Sequence, residues 1–201
     1  MMKTIRTKAV ALTIAIVTTL GFLSFTTGQA FAKDNDAKTT QQPSQENLVR
    51  IVRASTERFK DVSVAEMEGY HLVFGCVTGP DAGAMGLHFA KQAFLQVPPM
   101  TPDGEIDPTL PQIVIYEPIP GGGLRLIGAD YLLFADAWDK AHPGQTPQLD
   151  GQLFHYFESP NRFGLPPFYT LHVWAWKENP NGAFVNWHPD VSCQSFTGQR
   201  P

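Results

Sequence analysis

Apolar and polar positions alternate with a period of two in several short segments, while a helical period marks one stretch nearer the start of the chain. One strongly apolar run is residues 170–176, TLHVWAW. Read as a strand, it sends Leu171, Val173 and Ala175 to one side and His172, Trp174 and Trp176 to the other. Both faces are apolar enough to need cover. An imidazole between bulky aromatics must then find a hydrogen bond, a metal or a ligand. Asn179-Pro180-Asn181-Gly182 follows as a turn, since proline presets φ while asparagine and glycine accept positive φ. A shorter aromatic segment leads on to Cys193.

Upstream, residues 112–131 read as a hairpin in which PIPGGG joins IVIYE to LRLIGADY. Ile113, Ile115 and Glu117 share a face of the first strand, and Leu124, Leu126, Gly128 and Asp130 share a face of the second. If Glu117 lies opposite Leu124, the two carboxylates stand about 20 Å apart along the sheet. They would not both reach one ion without a bulge or strong coiling. Residues 84–90, AMGLHFA, form a further strand with Met85, Leu87 and Phe89 on one face and Gly86, His88 and Ala90 on the other. The small neighbours leave space beside the imidazole. Strands are also expected over 70–77, which carries His71 and Cys76, and over 153–157, which carries His155. Leu48, Ile51, Val52 and Phe59 recur at helical spacing, predicting a helix capped by Ser44 and running to Lys60. Short helices are expected over 62–67 and 134–140. The pattern predicts an α+β domain: an N-terminal helix packed on a mainly antiparallel sheet of about six strands, able to curl into a partial barrel.

The first residues change the picture of where the protein works. Lys3, Arg6 and Lys8 precede an apolar run over 9–25, and Ala30-Phe31-Ala32 matches a small-x-small cleavage site. Residues 1–32 are therefore expected to be a signal peptide, 33–43 a polar, disordered lead-in, and 44–201 a single globular domain. The expected destination is secreted or periplasmic, with no stable membrane anchor once the signal is removed. The chain has 15 basic and 19 acidic residues; losing the signal's three bases leaves 12 − 19, or −7. Such a charge disfavours nucleic acid and anionic lipid as partners.

Cys76 and Cys193 are the two cysteines, and in an exported chain an even pair reads as one disulfide. It would close a loop of 118 residues (193 − 76 + 1). On the chain-entropy argument such a loop contributes about 4 to 5 kcal/mol. Neither cysteine has the Cys-x-x-Cys spacing of a metal site.

His88 and His172 are the histidines that fall within well-defined strands. With one carboxylate, Glu117 or Asp130, they would make a set able to bind zinc, copper, manganese or iron and leave a position for water or substrate. The alternative is a non-catalytic secreted domain with structural histidines, in which Trp174, Trp176 and Trp187 bind a small molecule or a partner protein. No Gly-x-Ser-x-Gly elbow is present. Gly121 to Gly123 lies in a hairpin loop, not in a strand-to-helix phosphate cradle.

The strings MGLHF, YEP, LIGADY and LHVWAWKENPNGAFVNWHPDVSC, after a GCV and GAMG stretch, resemble a pattern in exported bacterial proteins of unknown function. The likeness spans about residues 69–193. It implies that His88, His172, Glu117 and Asp130 belong to the pattern, with glutamate more usual at Asp130 and asparagine at His188. No activity comes with the resemblance.

Overall fold

The computed structural model describes residues 36–79 and 81–198, so the expected signal peptide lies outside the described residues. In chain order the elements are α1 (Asp36–Thr56), a 3-10 turn (Glu57–Lys60), α2 (Val62–Met67), β1 (Tyr70–Gly79), β2 (Gly83–Lys91) and α3 (Gln92–Gln96). They continue with β3 (Ile113–Pro118), β4 (Leu124–Phe134), α4 (Ala135–Ala141), β5 (Gln148–Leu149), β6 (Gln152–Leu153), β7 (His155–Phe157) and β8 (Phe168–Val173). Six strands form one antiparallel sheet in the order β1-β2-β3-β4-β8-β7, and β5 and β6 form a separate small ribbon. This is an α+β arrangement. Among the described residues no helix is long and apolar enough to cross a membrane.

α1 begins upstream of the expected cap at Ser44, so helical backbone runs through part of the stretch expected to be a disordered lead-in. Its Leu48 and Val52, four apart on one helical face, are fully buried in a cluster with Ala129, Tyr131, Leu171 and Val173. Trp176 Nε1 donates to Thr56 Oγ1 at 3.0 Å, and Arg53 Nε donates to the Ala175 carbonyl. Phe59, in the turn that follows, takes a 2.7 Å hydrogen bond from the Tyr116 hydroxyl onto its carbonyl. Asp61 caps α2 by accepting from Ser63 N at 3.0 Å.

A bulge in the β3–β4 hairpin shapes this side of the sheet. In the hairpin, Ile115 pairs with Gly128 but Tyr116 pairs with Leu126, leaving Ile127 as the extra residue of a bulge in β4. Glu117 therefore faces Arg125, not Leu124. β8 ends at Val173, short of the expected strand through Trp176. The cause is the bulge: Ile127 O accepts from both Trp176 N at 3.0 Å and Lys177 N at 3.2 Å, turning the chain away. The aromatic segment after the turn forms no strand, and its one ladder contact is a bridge between His188 and Ala84. β4 and β8 approach so closely there that a Cβ on Gly128 would lie 2.5 Å from Val173 O. Cys76 and Cys193 are disulfide-bonded with Cα atoms 5.6 Å apart, tying β1 to the last segment.

Candidate metal centre

Three strands supply three buried polar side chains to one face of the sheet. His88 comes from β2, Asp130 from β4 and His172 from β8. Asp130 and His172 are direct cross-strand partners. His88 pairs through Ile115 to Gly128, one same-face step along β4 from Asp130. On a flat sheet β2 and β8 would be three interstrand spacings apart, about 14 Å. Yet His88 Nε2 and His172 Nε2 are 3.4 Å apart. The sheet is curled toward this face, as bulges in antiparallel strands produce.

The three residues offer ligand atoms that all lie within 4.8 Å of one another, so they can hold a metal ion. Two nitrogens about 2.0 to 2.1 Å from a tetrahedral ion would be about 3.4 Å apart, which the imidazole pair already satisfies. As a direct hydrogen bond the same distance is long. Nδ1 of each ring is buried and makes no hydrogen bond of normal geometry. His172 Nδ1 sits 3.7 Å from Asp130 Oδ1, beyond hydrogen-bond reach. Asp130 Oδ1 instead accepts from Thr170 Oγ1 at 2.6 Å.

Burial sets the charge states. It lowers His88 to about 4, with the neighbouring His172 adding to the effect, and lowers His172 to about 3, with His155 adding. Both rings are thus neutral near pH 7, the form in which imidazole ligates. Burial raises Asp130 to about 6, against the opposing pull of His88 and the Thr170 hydrogen bond. It is still mostly ionised at neutral pH. Around the three groups is a cavity of about 20 Å³, walled by Phe74, Ile113, Leu132, Phe157, Phe163 and Phe168 together with Met85. That is room for about one water or one ion.

Glu117 stands apart from this group. Lys177 Nζ lies 2.8 Å from its Oε1, and Arg125 donates to Oε2 at 2.5 Å. Burial raises its carboxyl, but the hydrogen bonds from Lys177 and Arg125 outweigh that and leave it lowered. Gly86 does not open space beside His88 either, because a Cβ there would meet Tyr116 O at 2.6 Å. His188 has both ring nitrogens engaged, Nε2 donating to Glu178 O at 2.9 Å and Nδ1 accepting from Asp190 N at 3.1 Å. Trp174 and Trp176 are tied inside the fold by bonds to Val185 O and Thr56 Oγ1. Trp187 alone of the three candidate tryptophans lines an open groove, shared with Asp81, His155, Asn181 and Asn186. Thr170 was legible in principle, since it shares a strand face with His172 two residues on.

No protein family, curated protein or solved structure matches this chain.

Proposed function

We propose that the protein is exported and holds one transition-metal ion, zinc, copper, manganese or iron, through His88, His172 and Asp130. The observation that carries this reading is the convergence of two neutral imidazoles and a carboxylate at ligand spacing, with the two Nε2 atoms 3.4 Å apart and the Nδ1 of each ring without a hydrogen-bond partner. An ion between the two Nε2 atoms would replace their long contact with two ligand bonds and take a carboxylate oxygen of Asp130 as a third. Thr170 would orient the carboxylate, and the phenylalanine wall would keep bulk water off the centre. Bound there, a metal supplies Lewis acidity at whatever position the three side chains leave open. The disulfide supports an oxidising destination, secreted or periplasmic. A small molecule or a partner protein would meet the centre or the Trp187 groove.

The test is elemental analysis of the untagged purified protein beside His88→Ala and His172→Ala, with circular dichroism to check that each variant folds. Near-stoichiometric metal in the wild type, lost in both folded variants, is the expected result. A wild type that stays metal-free after incubation with all four ions would overturn the reading.

A further inference from the structure

A fourth side chain enters the same cavity against the ordinary rule of strands. Alternation along β2 would place Met85 on the face opposite His88, three residues on. Instead Thr78 pairs with Ala84 and Val77 with Gly86, so Met85 is the extra, unpaired residue of a bulge. Gly86 makes the bulge with φ at +97°, and the contact of any Cβ with Tyr116 O excludes a larger residue there. The result is that Met85, 1% exposed, lines the cavity with His88, Asp130 and His172.

We propose that Met85 is the fourth ligand and that the ion is copper in its monovalent form. This rests on the reading that His88, His172 and Asp130 bind a metal. Two features carry the step. The first is donor type: a thioether is a soft ligand that selects Cu(I), while manganese favours oxygen donors and water. The second is charge. Two neutral imidazoles, a neutral thioether and one carboxylate sum to −1, so a monovalent ion leaves the centre neutral. A divalent ion would leave a net positive charge among phenylalanine, leucine and isoleucine side chains. The cavity, at about 20 Å³, offers space for about one water-sized group. Uncompensated buried charge is strongly disfavoured. With four protein ligands the centre is closed, which suits holding or handing on copper and not activating water.

The experiment is anaerobic titration of Cu(I) in competition with bathocuproine disulfonate, beside Zn(II) titration against a chromophoric chelator. Wild type, Met85→Leu and His88→Ala are compared, and the leucine is close in volume so that the fold is kept. Thermal unfolding of the ion-free forms checks this. The wild type is expected to bind one Cu(I), and Met85→Leu to weaken it by about tenfold or more. Zn(II) binding by Met85→Leu should stay within about threefold of the wild type. Copper K-edge absorption should show one sulfur neighbour in the wild type and none in Met85→Leu. Unchanged Cu(I) affinity in Met85→Leu, or no sulfur neighbour, would overturn the copper assignment while histidine-dependent metal binding stood. Failure of the wild type to bind any metal would overturn both readings.

Discussion

The Thr170 hydroxyl donates to Asp130 Oδ1 at 2.6 Å with both side chains buried. The threonine sits on β8 two residues before His172, so one strand supplies a candidate ligand and also holds the carboxylate of its neighbour strand. Outer-shell partners of this kind typically change metal affinity 10- to 100-fold. Thr170→Val keeps the shape and removes the donor. It should weaken metal binding by about tenfold or more, read by chelator competition. An affinity equal to the wild type would show that the bond does not orient Asp130.

Acid should destabilise the ion-free protein with a definite slope. The folded values of His88 and His172 are lowered to about 4 and about 3, so their contribution is complete above the unfolded histidine value and is lost as pH falls below it. Asp130 is raised to about 6, so its contribution is complete below the unfolded carboxyl value and is lost as pH rises through 6. Between roughly pH 4 and 6 two groups oppose one. The site's net effect is a loss of roughly 1.4 kcal/mol per pH unit as pH falls. Asp130→Asn removes the opposing group and should steepen the slope to roughly 2.7 kcal/mol per unit. Urea unfolding at several pH values measures both, and equal slopes would contradict the assignment.

Glu117 should matter to stability and not to metal. Its carboxylate is buried against Lys177 and the more exposed Arg125. Lys177→Met would strip the better-buried partner and should cost about 2 to 4 kcal/mol in chemical unfolding. Glu117→Gln should leave metal content unchanged. Loss of metal in Glu117→Gln, with the fold intact, would return this residue to the centre.

Replacing both Cys76 and Cys193 by serine opens a link between positions 117 apart in sequence. The midpoint of denaturation should fall by an amount equivalent to about 4 kcal/mol. A change below about 1 kcal/mol would mean that the reduced, unfolded chain is already compact.

Much of this architecture is legible from periodicity. The strands bearing His88 and His172, the hairpin between them and the pairing of Cys76 with Cys193 all follow from alternation, turn residues and cysteine count. What alternation does not reveal is where it breaks. Nothing in LRLIGADY marks Ile127 as a bulge residue, yet that bulge sets Glu117 against Arg125 and draws Lys177 to the same carboxylate by turning the chain at Ile127 O. The two acids on nominally equivalent faces were thus separated by a bulge within their own hairpin and by the distant Lys177. Met85 was misplaced for the same reason, with Gly86 as the one local signal of a break. The early start of α1 and the presence of α3 were likewise missed, since the residues involved carry no strong apolar stripe.

β8 is the last strand in the chain but lies inside the sheet, between β4 and β7. During synthesis the ribosome makes His88 and Asp130 well before His172, and no earlier strand can stand in for it. A chain that stops before β8 therefore lacks one of the three candidate ligands. If the proposed centre binds an ion, it can do so only once β2, β3, β4 and β8 have paired, so metal occupancy would report that these strands had come together.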